Sequence, residues 1–187
     1  MWNTFIEWDV EGQNNASLAE LKRLPRLTAL SIHISDAQVM PPGLCFQKLD
    51  RFRILIGDVW DRVGKDESSR TLKLKLSNSI YLSHEIDVLL KKTEYLYLDE
   101  LKGVKNVLYE IDSDGFQQLK HLHVQNFPEI QYIVNSRDLA PCIDSFPKLE
   151  SLFLHNLINL AKVCHGKLTR ESFSKLKIMK VEKCNKL

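Results

Sequence analysis

The sequence predicts an α/β repeat solenoid, because one apolar phrase recurs along the chain at a nearly constant interval. The phrase reads apolar-x-x-apolar-x-x-apolar-x-apolar, and its third position falls at residues 30, 52, 74, 96, 122, 152 and 179. In the repeats at 74 and 96, Thr takes the second position. The intervals are 22, 22, 22, 26, 30 and 27 residues. A period of about 20 to 30 residues with this phrase is typical of a leucine-rich repeat. We therefore expect one leucine-rich-repeat domain over residues 1–187, with about seven repeats in a horseshoe or arc.

Each phrase is predicted to contain a β-strand, since apolar residues alternate there with polar ones at a period of two, as in Leu122-His123-Val124. A single turn cannot bury its apolar side alone, so neighbouring turns stack and their strands pair as a parallel sheet on the concave wall. The strands are expected near residues 29–33, 51–55, 72–76, 95–99, 121–125, 151–155 and 178–182.

After each strand the apolar spacing opens to three residues, as in Val124-Phe127-Ile130-Ile133. This spacing indicates irregular or 3₁₀-like backbone that returns along the convex side. Short helices are expected at 16–21 and 83–90, where a Ser precedes a Glu near the helix start. Three longer stretches are rich in Asp, Ser, Pro, Gly or charge, and we expect them to project as solvated insertions: 35–45, 57–70 and 134–145.

Composition excludes several classes of protein. The chain is 44% hydrophobic and 27% charged with only 7 Gly and 6 Pro, which is typical of a folded domain and not of a disordered or collagen-like one. Its net charge of +2 indicates no partner by itself. No apolar run is long enough to span a membrane, and no signal segment follows Met1.

The cysteines predict a reducing compartment. They lie at positions 45, 142, 164 and 184 without any C-x-x-C pair, so neither a zinc site nor a disulfide framework is expected. Cys184 takes the repeat position of Leu157 and is predicted to lie in the core. Because the last repeat stops at Leu187 without a polar cap, we expect the chain to be a piece of a longer array.

The concave wall is predicted to carry the functional surface, because the side chains that flank the buried strand positions leave the core there. The expected register gives one column with Arg51, Lys73, Tyr95 and His121 and a second column with Arg53, Lys75, Tyr97 and His123, so the four cations lie next to a ledge of aromatic rings. Since Tyr and Arg are favoured at interface hot spots, this wall predicts a contact surface for an acidic partner, although a solvated face that discourages aggregation fits equally well. The candidate protein-binding residues are Arg51, Arg53, Lys73, Lys75, Tyr95, Tyr97, His121, His123, Phe153 and His155.

No pattern of a catalytic or cofactor site occurs. The chain has no phosphate-binding loop, no G-x-S-x-G and no H-E-x-x-H. His121, His123 and His155 share the wall, but only Asp99 offers a nearby carboxylate, so a metal site is not expected. The nearly neutral chain also argues against nucleic acid as a ligand of the basic and aromatic wall. We expect a protein that is not an enzyme and binds no cofactor, metal or nucleic acid.

Five phrases carry a more specific resemblance: WDVEGQNNASLAEL at 8–21, IGDVW at 56–60, SRTLKL at 69–74, PEIQYIV at 128–134 and VEKCNKL at 181–187. Together they resemble the leucine-rich-repeat region of plant coiled-coil nucleotide-binding leucine-rich-repeat (CC-NBS-LRR) disease-resistance proteins. The resemblance implies a cytoplasmic module for immune recognition and autoinhibition. Its partners would be the receptor's own nucleotide-binding module, a pathogen effector or a guarded host protein. ADP or ATP would bind only the separate nucleotide-binding module.

Two other classes remain open. One is the substrate-binding repeat region of an intracellular ubiquitin-ligase adaptor, in which a short docking box precedes the repeats. The other is the extracellular domain of a membrane receptor, which is disfavoured by the irregular intervals and the lack of a Gly-x-Ile-Pro phrase. Upstream sequence would separate the three by a phosphate loop, a docking box or a signal peptide.

Overall fold

The structure is a computed structural model that describes residues 18–36, 43–44, 46–58, 70–75, 84–101, 103–136 and 144–187. It is a repeat solenoid built of parallel strands with few helices, which confirms the predicted solenoid. The helices are a 3₁₀ helix at Leu18–Arg23, α1 (His84–Leu90) and α2 (Val107–Ile111). The strands are β1 (Ala29–Ile34), β2 (Arg51–Ile56), β3 (Arg70–Lys75), β4 (Tyr95–Asp99), β5 (His121–Gln125), β6 (Tyr132–Asn135), β7 (Ser151–His155), β8 (Lys162–His165) and β9 (Ile178–Glu182).

Seven strands form one parallel sheet in the order β1-β2-β3-β4-β5-β7-β9, so successive turns of the chain lie side by side. Six of these strands begin at the residue expected from the sequence, whereas β3 begins at Arg70 and not at residue 72. The alternation of apolar and polar residues therefore locates the strands well, because each strand has one buried and one open face.

The register of β3 differs from the expected one by four residues relative to β2 and by two residues relative to β4. The repeat phrase places Leu74 beside Phe52 and Leu96, but in the structure Phe52 pairs with Arg70, and Leu72 pairs with Leu96. The physical reason lies in the run from Leu72 to Lys75, which alternates strictly. A slip by an even number of residues leaves every side chain on its original face, so alternation alone does not specify this register.

The returning half of the solenoid is more regular than expected. Strands β6 and β8 pair in parallel as a second, two-stranded sheet, with Tyr132 beside Lys162 and Val134 beside Cys164. The prediction of irregular backbone is wrong at these positions. β-branched and aromatic residues in both segments favour extended backbone, and stacking of one turn on the next gives each segment a pairing partner. The 3₁₀ helix and α1 fall where helices were expected, although residues 16–17 and 83 lie outside the described residues, whereas α2 was not expected from the sequence.

The core lies between the seven-stranded sheet and the returning segments, and it consists of the repeated apolar positions. Leu96, Leu122 and Leu152 have no exposed surface. Burying each such side chain stabilises the fold by about 1.5–3 kcal/mol. Phe146 stacks between two equivalent phenylalanines, with ring centres 5.0 Å from Phe116 and 5.2 Å from Phe173. The rings thus continue from one turn to the next at a corner of the solenoid.

In five strands of the seven-stranded sheet, the residue that follows the strand has a left-handed backbone conformation, which turns the chain out of the sheet. At Gly57 this conformation requires glycine, because an added Cβ would lie 1.9 Å from the carbonyl oxygen of Lys75. At two later turns asparagine occupies the position. Asn156 Nδ2 donates to Asn126 Oδ1 over 2.8 Å, and Asn126 Nδ2 donates to Asp99 Oδ1 over 2.8 Å. These hydrogen bonds connect consecutive turns of the chain at the carboxyl ends of the strands.

The last layer is less covered than the others. Met179 and Val181 on β9 take the repeat positions that bury leucines elsewhere, but they are 46% and 38% exposed. Cys184, predicted to be a core residue, packs against the core but is only half-buried. Among the described residues, β9 pairs with a strand on one side only.

Several sequence-based expectations fall outside the described residues. Residues 1–17, Cys45, Cys142 and most of the three predicted insertions belong to this group. In the part of the chain that is described, no helix has both the length and the apolar character that crossing a membrane requires.

Candidate protein-binding face

The candidate site lies on the side of the seven-stranded sheet that points away from the core, which we call the outer sheet face. All ten candidate residues lie on it. They occupy alternate positions within each strand, and the register pairs these positions with one another from strand to strand. They come in pairs from five strands: Arg51 and Arg53 on β2, Lys73 and Lys75 on β3, Tyr95 and Tyr97 on β4, His121 and His123 on β5, and Phe153 and His155 on β7.

The register arranges the outer sheet face into rows that cross the strands, and two of these rows carry the aromatic rings. The first row contains Leu55, Lys73, Tyr97, His123, Phe153 and Lys180. The second row contains Arg53, Thr71, Tyr95, His121, Ser151 and Ile178. Neither of these two rows contains a carboxylate, whereas the next row of the same face, with Lys75, Asp99, Gln125, His155 and Glu182, contains two.

These rows correct the columns expected from the sequence. The expected neighbours Arg51, Lys73 and Tyr95 are not in one row, because Lys73 lies beside Tyr97 and Thr71 lies beside Tyr95. The expected file of Arg53, Lys75 and Tyr97 is likewise wrong, since Lys75 pairs with Asp99. All these residues remain on the same face, because a slip of β3 by two or four residues leaves each side chain on the side of the sheet that it had before.

Four side chains of the first row, from Lys73 to Phe153, form a continuous series of contacts. Lys73 Nζ lies 4.8 Å from the centre of the Tyr97 ring, a cation–π distance. The Tyr97 and His123 ring centres are 5.7 Å apart, and those of His123 and Phe153 are 5.9 Å apart. Both separations fall in the favourable range for aromatic pairs. The row therefore presents three preorganised rings with a cation at one end.

The second row borders a shallow depression next to these rings. Tyr95 stacks on His121 with ring centres 4.3 Å apart, and His121 Nδ1 lies 2.6 Å from Ser151 Oγ. The depression has a volume of about 510 Å³, and Tyr97, Phe153 and Ile178 contribute to its lining. At its edge, Lys177 Nζ forms an ion pair with Glu150 over 2.8 Å. Aromatic and apolar groups thus line a concavity whose edge is polar.

His123 is held in its neutral form. Burial lowers the pKa of its imidazole, and the nearby His155 acts in the same direction. The Nε2 atom of His123 is buried and has no hydrogen-bond partner. The central ring of the first row therefore behaves as an aromatic group and not as a cation at neutral pH.

The cations are distributed differently from the expected cluster of four. Lys75 Nζ lies 3.5 Å from Glu100, which follows β4 in a left-handed conformation. Leu55, only 2% exposed, occupies the position beside Lys73 where an arginine was expected. His155 lies beside Gln125 and Glu182, outside both rows. Of the expected cluster of four cations, Arg53 and Lys73 therefore lie in the two rows with the aromatic rings, and Lys180 is at the other end of the first row.

Sequence reasoning did not single out some residues that shape this face. Ser151 and Ile178 were expected on the same wall, but only their register with His121 shows that they border the depression. Glu100 was missed because its contact with Lys75 depends on the register of β3.

The described residues contain no group of three or more His, Cys, Asp or Glu side chains that could hold a metal ion. Burial raises the pKa of Cys164 to about 11, so its thiol is protonated at neutral pH and is a poor nucleophile.

No protein-family model matches the chain, and no curated protein or solved structure matches it either.

Proposed function

We propose that this chain is a protein-recognition module that binds a protein partner through the outer sheet face. The observation that carries the proposal is the first row, in which Lys73, Tyr97, His123 and Phe153 form one series of contacts beside an apolar depression. Aromatic side chains in preorganised positions are typical of interface hot spots, since little conformational entropy is lost when they bind.

We further propose that the module is the leucine-rich-repeat region of a cytoplasmic plant immune receptor of the CC-NBS-LRR class, with about seven repeats in an arc. The support is the set of five phrases, the recurrence of the apolar phrase every 22 to 30 residues and the parallel pairing of the strands. In this proposal the module is not an enzyme and binds no nucleotide. Its partners are the receptor's own nucleotide-binding module, a pathogen effector or a guarded host protein.

Such a module acts through a difference in its affinity for the resting and the active state of its partner. If the outer sheet face binds the nucleotide-binding module better in its resting state than in its active state, it holds the receptor inactive. An effector that competes for the same face then shifts the equilibrium toward the active state. A shift from 1% to 99% active requires a difference in affinity of about 10⁴-fold.

The test is a double charge reversal, Arg53→Glu with Lys73→Glu, in the receptor that carries this chain. These cations belong to neighbouring rows, and the sheet core beneath them is unchanged. Lys162→Glu is the matched control, because Lys162 is an exposed lysine of the second sheet. Both variants are compared by circular dichroism and melting to verify folding.

We expect the double variant to change either spontaneous cell death or the effector response in a leaf assay, and the control to change neither. Unchanged behaviour of a folded double variant contradicts the proposal. Association of the chain with a ubiquitin-ligase subunit, lost in the double variant, would instead support the adaptor alternative.

A further inference from the structure

We infer that the open edge of β9 binds an extended segment of a partner protein as one further parallel strand of the seven-stranded sheet, and that this segment reads acid-x-apolar-x-apolar. The inference goes beyond the proposed function, because it concerns an edge of the sheet and not the outer sheet face. It rests on the backbone groups of β9, on the exposed apolar side chains of this strand and on the order of charges along the strand starts.

Half of the backbone groups of β9 are directed away from β7. The parallel pairing with β7 uses alternate residues of β9, beginning with Ile178, whose N–H donates to the carbonyl oxygen of Glu150 over 3.0 Å. The intervening residues Met179 and Val181 therefore direct their N–H and C=O groups to the opposite side. No strand within the described ranges pairs with β9 there. Such a row of hydrogen-bonding groups is a template for a strand of another chain.

The side chains that β9 directs toward the core layer are apolar and exposed. Met179 and Val181 are 46% and 38% exposed, whereas their neighbours Leu152 and Leu154 on β7, which β9 covers, are 0% and 1% exposed. A strand beside β9 covers Met179 and Val181 in the same way, and burial of their apolar surface stabilises the complex. β9 has neither a proline nor an inward charge, which commonly protect edge strands. The complementary groups are two apolar side chains at alternate positions.

Charges of alternating sign precede the last four strands of the sheet. The series consists of Glu94 before β4, Lys120 before β5, Glu150 before β7 and Lys177 before β9. Lys120 Nζ lies 3.1 Å from Glu94, and Lys177 Nζ lies 2.8 Å from Glu150. Lys177 and Lys120 both lower the pKa of Glu150, so this carboxylate interacts with a cation on each side. A strand added beside β9 continues the series with an acid next to Lys177.

The pairing of β7 with β5 shows how such a segment docks. β5 begins directly after Lys120 and has apolar residues at its inward positions, as β9 does after Lys177. The segment that covers β5 reads ESLFL over residues 150–154, which is the predicted acid-x-apolar-x-apolar sequence. Its N–H groups at Glu150 and Ser151 both donate to the carbonyl oxygen of Lys120, over 2.7 and 3.1 Å. The carbonyl oxygen of Lys177 is the equivalent acceptor at the edge of β9.

The test uses the purified 187-residue chain and a fluorescein-labelled peptide with the sequence of residues 148–156, which contains the β7 segment, with binding followed by fluorescence anisotropy. Two matched peptides are N-methylated at one backbone nitrogen, either that of Phe153 or that of Leu154. Parallel addition directs the first of these N–H groups toward β9 and the second away from it, because neighbouring residues alternate. A further peptide has Lys in place of Glu150.

We expect the parent peptide to bind, and N-methylation at Phe153 to weaken binding about tenfold or more while N-methylation at Leu154 has little effect. Lys177→Glu should weaken the parent peptide about threefold and bind the Lys peptide better. Val181→Asp should abolish binding, because it places an inward charge on the edge. The matched control is Leu24→Asp, at an exposed apolar residue next to β1 on the opposite side of the sheet. Melting curves verify folding, and the N-methylated peptides remain informative where Val181→Asp does not fold.

Equal affinities of the two N-methylated peptides, or no binding of the parent peptide, overturn this inference. A concentration-dependent dimer of the chain in sedimentation experiments, removed by Val181→Asp, also overturns it, because a second copy is then the occupant of the edge. The proposed function is tested separately, since Arg53→Glu with Lys73→Glu changes the outer sheet face and leaves β9 unaltered. If the receptor response is insensitive to that double variant while the peptide binds as expected, only the proposed function is wrong.

Discussion

Replacing His123 by Phe should stabilise the protein. The imidazole lies between Tyr97 and Phe153, and its Nε2 atom is buried without a hydrogen-bond partner. An unsatisfied buried polar group costs about 1–3 kcal/mol, and a phenyl ring in the same place keeps the aromatic contacts. We therefore expect His123→Phe to raise the free energy of unfolding by about 1–2 kcal/mol at pH 7.

The same substitution should change the pH dependence of stability. Burial lowers the pKa of His123 in the folded chain below its unfolded value of about 6.5, so the unfolded chain binds the proton more readily. Neutral His123 makes its full contribution to the free energy of unfolding above pH 6.5. This contribution is lost as the pH falls from the pKa of the unfolded chain through the lower pKa of the folded chain. His123→Phe removes this acid-induced loss.

Urea denaturation at pH 7.5, 6.5 and 5.5 measures both effects. His123→Gln serves as the control, since it abolishes the titration but retains a polar group and loses the ring contacts. It should be less stable than His123→Phe at every pH and should lose less stability on acidification than the unaltered chain. A destabilised His123→Phe variant, or one that retains the full acid dependence, would refute the description of the first row.

Three further predictions concern the solenoid itself. Leu122→Ala should lower the free energy of unfolding by about 2–5 kcal/mol, because Leu122 has no exposed surface and its removal leaves a cavity; a denaturation curve unchanged from that of the parent chain would argue against the core described above. Gly57→Ala should destabilise by more than about 1 kcal/mol, because the added Cβ would meet the Lys75 carbonyl oxygen at 1.9 Å. The control is Gly43→Ala, which has a similar backbone conformation but brings its Cβ no nearer than 3.8 Å to Lys22 Nζ; equal melting temperatures of the two variants would exclude the clash. Cys164, with its pKa raised to about 11, should react with iodoacetamide at pH 8 more than about tenfold more slowly in the folded chain than in urea, as read by peptide mapping. Equal rates would show that the thiol is not buried.

Strand positions and the face that each side chain takes could be read from the sequence. Both depend on local alternation, since a strand with one buried face must place Leu122 and Val124 inside and His121 and His123 outside. The alternation of inward and outward side chains within one strand does not depend on how the neighbouring turn packs. All ten candidate residues therefore lie on the expected face.

The register of β3 could not be derived in the same way. A strand that alternates strictly can slip by two residues without moving any side chain to the other face, and only long-range packing selects between the alternatives. The partners of Lys73 and Lys75 follow from that register. The same limit applies to the contact between β6 and β8, because short extended segments on the returning side gain their pairing only when the turns stack.

The most direct measurement of the central claim is site-specific photo-crosslinking from the outer sheet face in the receptor to which we propose that this chain belongs. A benzophenone amino acid replaces Tyr97, at the centre of the first row, or Ile158, an exposed apolar residue in the turn after β7. We expect position 97 to give an adduct with the receptor's nucleotide-binding module or with the effector, and Arg53→Glu with Lys73→Glu to abolish it. An adduct from position 158 and none from position 97 would contradict the assignment of the outer sheet face as the binding surface.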